Sequence, residues 1–393
     1  MTKVAEYELE RLLIDRSSRI PELDGLRGVA IAMVLLFHYF LQPIHAPLAS
    51  ILSYVQAVGR LAWSGVDLFF VLSGFLIGGI LLDARDSSNY FQVFYARRFF
   101  RIVPMYLLLI TAVFSLHSLG VLGISTRFEA MYKDSLPWIP YFFFIQNFWM
   151  AFSTTFGVTA LTVTWSLAVE EQFYLTLPVL IRTLRSRRLL VSICIGILSA
   201  PALRLALHVL WPGRFLASLW LMPCRADALL LGVIAAIAVR NPDCWALLKE
   251  NGRIVMFLLM VLAGGLVVLT VRYPSPWGVP MLAVGFTWLA LFYVFVLIYA
   301  LLFRKSWLSR CLRWRWLRWL GGIAYGVYLL HEFVSLIFFE SIWSTPPAMA
   351  SVSDLFTAVV ALATTLILCR ASWLYFEKPL VQLGHRAQYM TTE

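Results

Sequence analysis

Apolar runs of about 20 residues recur along this chain, and each could cross a bilayer as one helix rising ~1.5 Å per residue. The runs predicted to span cover 28–45, 60–82, 100–119, 164–182, 189–210, 219–239, 254–271, 279–303, 321–340 and 353–373. Barrel strands would instead alternate over roughly ten residues between turns, and no such alternation is visible. The chain therefore reads as all-α, a polytopic membrane helix bundle of about ten transmembrane helices. A further apolar stretch, 137–151, is interrupted by Pro137 and Pro140 and reads as a short re-entrant or interfacial segment.

Basic residues orient the spans, because Lys and Arg concentrate on the cytoplasmic side. Arg85, Arg97, Arg98 and Arg101 form one cluster, Arg182, Arg185, Arg187 and Arg188 a second, and Arg304, Lys305, Arg310, Arg313, Arg315 and Arg318 a third. An even number of crossings must separate the first two, which argues against 137–151 as a span and puts both termini in the cytoplasm. The expected division is a cytoplasmic tail over 1–27, a transmembrane domain over 28–380 and a cytoplasmic tail over 381–393. No cleavable signal peptide is expected, since Met1–Arg19 has no apolar core. The stretch Trp307–Leu320 interleaves tryptophan with arginine, as suits a helix lying in the inner headgroup region or a basic loop anchored by its tryptophans.

With 61% hydrophobic and 13% charged residues, the chain has too little charge for a water-facing surface. Its net charge of +11 does not point to nucleic acid, because the basic residues lie between spans and not on one soluble domain. Five cysteines are scattered without CxxC or Cys/His spacing, so neither disulfides nor a metal site is expected.

Polar residues at depth carry the chemistry. Arg27 opens the apolar run LDGLRGVAIAMVLLFHY and His38 lies in its middle. Eleven residues are close to three helical turns, so the two share a face about 16 Å apart. An ionisable group near mid-bilayer is costly, which leaves a proton-handling or nucleophilic imidazole in a polar cavity, or a neutral one hydrogen-bonded to a neighbouring helix. Arg98 and Arg101 are three apart at a helix start and could grip a phosphate with forked donors, or simply obey the positive-inside rule.

WSLAVEEQFY places Glu170 and Glu171 in an apolar helix behind Trp165. Adjacent residues point about 100° apart, so one of the two carboxylates could orient the imidazole or pair with an arginine. Asp67 and Ser73 sit among small residues on GVDLFFVLSGFLIGGILL, suited to helix packing or a substrate channel. Tyr325, Tyr328 and Glu332 form one stripe with His331 beside it, and Arg225 and Asp227 are too far round their helix to pair with each other. Polar groups thus occur at every depth, which implies a cavity running through the bundle.

These segments together resemble the membrane acyltransferase-3 family over nearly the whole chain. The resemblance rests on LDGLRG with the R-x10-H spacing to His38, GVDLFFVLSGFLI, RRFFRIVP, WSLAVEEQFYL, RADALLLG, IAYGVYLLHE and YFEKP, seven blocks in family order. It implies transfer of an acyl group, commonly acetyl, from cytoplasmic acyl-CoA to a hydroxyl on an extracytoplasmic glycan, glycolipid or small molecule. His38 then matches the family's essential histidine, Arg27 its partner, Arg98 and Arg101 the RxxR pair for the donor with Ser73 beside them, and Glu170, ahead of Glu171, the acid. Asp67, Trp165, Tyr325, Tyr328, His331, Arg225 and Asp227 are the expected substrate-cavity residues.

No permanently bound cofactor is expected, only acyl-CoA as donor substrate, in the inner membrane as a multi-pass protein. Many relatives carry an added SGNH-type hydrolase domain, whereas this sequence stops soon after Pro379, so any such step is expected from a separate periplasmic partner or not at all. Self-association, acceptor identity, acyl length and the choice between general base and transient acyl carrier for His38 stay open. The rival reading is a transporter or flippase for a glycolipid or amphiphilic metabolite, which would also need ten spans and a polar cavity; the broken helices and repeat symmetry of such carriers are not evident.

Overall fold

The computed structural model describes residues 20–44, 59, 61–118, 137–273, 275, 277–343 and 347–390, and the described residues are all-helical or irregular. The N-terminal tail up to residue 19 and the last three residues of the expected C-terminal tail lie outside the described residues.

Helix α1, Pro21–Leu36, starts with proline in its first turn, where a missing N–H leaves no bond unmade. It begins before residue 28, the expected start of the first span, so Arg27 lies inside the helix and not ahead of it. At Phe37 the helix passes into a π-helical turn, Phe37–Leu41, that contains His38. An extra residue in a turn re-aims the side chains on it, which is why such turns recur at functional sites.

A 3₁₀ turn, Ala62–Ser64, leads into α2, Gly65–Asp83, and α3 follows over Tyr90–Ser118 with Pro104 inside it. The stretch 137–151 does not cross. It folds as two short helices, α4 (Ile139–Phe142) and α5 (Gln146–Ser153), the second ended by Thr154 in the left-handed region at φ 55°. Trp138, Phe143 and Trp149 stay exposed on this segment, as the interfacial reading requires. Burial pushes the Tyr141 phenol above its ordinary range, so it remains a neutral partner for the Val158 N–H at 3.1 Å.

Helix α6 (Thr164–Thr183), α7 (Ser186–Leu210), the four-residue α8 (Ala217–Trp220) and α9 (Met222–Arg240) come next. They are followed by α10 (Pro242–Glu250), α11 (Gly252–Arg272) and, after a π turn over Met281–Gly285, α12 (Phe286–Leu302). The chain closes with α13 (Trp307–Leu312), α14 (Arg315–Gly322), α15 (Ala324–Trp343), α16 (Val352–Ser372), a π turn over Trp373–Glu377 and α17 (Lys378–His385). Among the described residues nine helical units are long and apolar enough to cross a membrane. Helix α6 is also 20 residues long, but Glu170, Glu171, Gln172 and Arg182 make it too polar for that set; with it the count is ten.

Helices α2 and α9 form the buried centre, while α11 is largely exposed on the outside. Their close approach depends on Gly74 and Gly232: a Cβ at Gly74 would strike the Leu229 carbonyl, and one at Gly232 the Val71 carbonyl. Small residues are what let helices pack this closely without water to drive them together.

One end of the bundle collects the start of α1, the end of α2, the basic start of α3, the end of α9 and α17. Here α13 and α14 lie against α1, with Trp307, Trp314, Trp316 and Trp319 exposed and Leu312, Leu317 and Leu320 buried. Arg304 and Arg313 reach the buried Glu22 carboxylate at 3.3 and 3.1 Å, tying this amphipathic segment to the first span. Towards the other end, Arg225 pairs with Asp67, and Arg204 pairs with Asp227 at 2.8 Å, each supplying the partner that the spacing of Arg225 and Asp227 demanded. Thr287 completes the second cluster, donating to Asp227 at 2.6 Å. Buried charges are tolerable only when so paired and hydrogen-bonded.

Candidate active site

His38 Nδ1 lies 3.0 Å from Glu332 Oε1, joining the π turn after α1 to the middle of α15. Both side chains are mostly shielded, 21% and 16% exposed. A carboxylate only accepts, so Nδ1 carries the proton and Nε2 keeps its lone pair, the arrangement that readies an imidazole to take a proton or attack a carbonyl. The carboxylate is that of Glu332 and not that of Glu170, so the expectation that Glu170 orients the imidazole is corrected. Spacing along one helix could not reveal that α15, and not α6, meets this turn of the first span.

His331 stands beside the dyad with its ring centroid 4.9 Å from that of His38. Its Nδ1 is 2.8 Å from the Tyr328 carbonyl and 3.2 Å from that of Val327, so Nδ1 is the protonated nitrogen. Its Nε2, like Glu332 Oε2, is buried without a hydrogen-bond partner. His38, His331 and Glu332 together offer three donor atoms within 4.8 Å of one another, a set that could also hold a divalent cation. A cation there would draw on the same nitrogen and carboxylate that make the dyad.

A cavity of about 810 Å³ opens at the basic end of the bundle. Arg27, Arg97, Arg98 and Arg101 line it together with Asp24, Ser73, Glu170, Tyr174, Tyr325 and Tyr328. Arg98 and Arg101, both on α3, therefore face one space with Arg27 of α1. Opposite them, Tyr174 donates to Glu170 at 3.3 Å and shares a 2.6 Å hydrogen bond with Ser73. Arg27 and Arg98 supply the positive charge facing Glu170, which belongs to this cavity wall and not to the dyad. Glu171 does not line the cavity. Tyr325 donates to the Ile102 carbonyl at 2.7 Å, and Tyr328 to that of Val163 at 3.0 Å.

The other expected cavity residues are elsewhere. Trp165 stacks on Trp220 with ring centroids 5.5 Å apart, and Asp67, Arg225 and Asp227 are buried in their ion pairs; none of these four lines the cavity. His331 does not line it either and belongs with the dyad. Sequence reasoning missed Arg204, a lone arginine in the middle of an apolar run, whose position in a span was itself the signal. It also missed Ser166, which binds Tyr328 at 2.5 Å, and Phe69; nothing in their local pattern marks them.

The chain matches the family model described as "Acyltransferase domain" over residues 20–373. It is 27% identical over 379 residues to a peptidoglycan O-acetyltransferase of Listeria monocytogenes, covering 93% of this chain and 56% of that protein. It is 30% identical over 388 residues to a candidate peptidoglycan O-acetyltransferase of Bacillus subtilis, with 94% and 56% covered. The chain thus spans about half the length of these two curated relatives. No solved structure matches it. Because the family match runs through nearly all the described helices, the chain belongs to the membrane acyltransferase-3 family.

Proposed function

We propose that the protein is an O-acyltransferase that moves an acetyl group from cytoplasmic acetyl-CoA to a hydroxyl of an extracytoplasmic carbohydrate, with peptidoglycan the acceptor class that the relatives' names suggest. The observation that carries this reading is the His38–Glu332 dyad beyond the inner end of an arginine-lined cavity. Arg98 and Arg101, with Arg27, hold the phosphates of the donor at the basic mouth, where forked guanidinium donors match phosphate oxygens. The pantetheine arm then runs inward towards His38.

His38 Nε2 takes the proton of the acceptor hydroxyl as its oxygen attacks the thioester carbonyl. Collapse of the tetrahedral intermediate breaks the C–S bond, and the imidazolium returns the proton to the departing CoA thiolate. Glu332 holds the ring in the required tautomer and stabilises its charged form between these steps. The reaction needs only proton transfer and acyl exchange, so acetyl ester and CoA thiol are the complete products.

The test is purified protein in lipid vesicles with labelled acetyl-CoA and soluble peptidoglycan fragments. Label on the fragments with stoichiometric CoA release supports the reading. Movement of a glycolipid across the bilayer with no CoA release under any condition would support the carrier reading instead.

A further inference from the structure

The cavity ends against an aromatic wall. Phe69 of α2 and Tyr328 of α15 both line it, their rings in edge contact with centroids 6.1 Å apart. Tyr328 is tethered by its hydroxyl to Ser166 at 2.5 Å and to the Val163 carbonyl at 3.0 Å. Beyond it stands His331, 5.8 Å away between centroids, and then His38. Neither histidine lines the cavity, so a group entering from the arginine end reaches the aromatic pair before it reaches the dyad.

The two ends of this cavity differ in chemistry. The mouth carries five arginines, Arg27, Arg97, Arg98, Arg101 and Arg240, whereas Val66, Phe69 and Phe70 line the inner end from one face of α2, at positions three and four apart. An apolar chamber next to a reactive imidazole suits the hydrocarbon part of a thioester, just as the charged mouth suits its phosphates. Phe69 and Tyr328 are both only partly buried, but no hydrogen bond could fix the Phe69 ring, so its bulk alone is what it brings to the end of the space.

We infer that this inner end is an acyl subsite, and that Phe69 limits it to short chains by filling the room a longer acyl group would need. The inference rests on the acyltransferase reading above. One extra methylene in an apolar pocket changes discrimination by roughly 10- to 200-fold, so a bulky ring at the end of the chamber is enough to select acetyl.

The experiment compares acetyl-, butyryl- and hexanoyl-CoA as donors for the purified protein, reading CoA thiol release and acceptor acylation. The unsubstituted protein is expected to prefer acetyl over butyryl by at least about tenfold, and Phe69→Ala to reduce that ratio by about tenfold or more. Phe69→Leu, which keeps an apolar side chain and protects folding, is expected to fall between the two. An acetyl-to-butyryl ratio unmoved in the folded variants would overturn the subsite while leaving the transferase reading intact, as would an unsubstituted protein that uses hexanoyl-CoA as well as acetyl-CoA. No thiol release from any donor by the unsubstituted protein would overturn the transferase reading first, and this inference with it.

Discussion

Glu332 Oε1 sits 3.0 Å from His38 Nδ1, so the carboxylate that fixes the histidine of the first span comes from α15, nearly 300 residues later in the chain. Glu332→Gln preserves the shape of the side chain but removes the charge that stabilises a protonated imidazole. Turnover should fall on the order of 10²- to 10⁴-fold, with the KM for acetyl-CoA little changed. If Glu170→Gln abolishes turnover in the same way and Glu332→Gln does not, the pairing has no part in the chemistry.

Arg98→Ala and Arg101→Ala should act on donor binding. Each removes charge-assisted hydrogen bonds of roughly 1.5–3 kcal/mol, equivalent to about a tenfold to hundredfold rise in the Kd for CoA. Direct titration with CoA measures it. Unchanged affinity in both variants would reduce these arginines to markers of topology.

The buried pair of Arg225 and Asp67 holds α2 to α9 and does not line the arginine-rich cavity. Asp67→Ala leaves an uncompensated guanidinium beside Phe286 and Phe70, and should cost about 3–5 kcal/mol of stability. Replacing both partners with leucine should cost much less than Asp67→Ala alone. Thermal unfolding in detergent distinguishes these outcomes, and a single Asp67→Ala as stable as the parent would contradict the structural role.

Topology can be tested without substrate. On a background lacking the native cysteines, Ser186→Cys and Ser275→Cys are both exposed, and three crossings, α7, α9 and α11, lie between them. An impermeant thiol reagent should therefore reach them from opposite sides of sealed vesicles. Labelling of both from one side would remove one of those crossings.

The amino-acid pattern revealed the spans and the histidine because both depend on local signals: length of apolar runs, and an ionisable group where lipid should be. It pointed to Arg98 and Arg101 by their spacing of three at a helix start, and both line the cavity mouth. Which helix faces which was not legible, and so Glu170 was expected beside His38 where Glu332 stands. Glu170 and Glu332 both sit in apolar runs, and nothing local says which of their helices meets that of His38; only lateral packing, set by contacts such as Gly74 against the Leu229 carbonyl, separates them. The partners of Arg225 and Asp227 were likewise required by spacing but could be named only once α2 and α7 were in position. The π turn at His38 left no trace either, since its residues, FHYFL, continue the apolar run of the helix before it.

The most direct test of the account is turnover of labelled acetyl-CoA by purified His38→Ala, with folding checked by thermal unfolding against the parent. The variant is expected to be stable and still to bind CoA through its arginines but to transfer no label to the acceptor, because removing the imidazole removes the base and leaves the cavity mouth intact. A well-folded His38→Ala variant that acylates the acceptor at near-parental rate would contradict it.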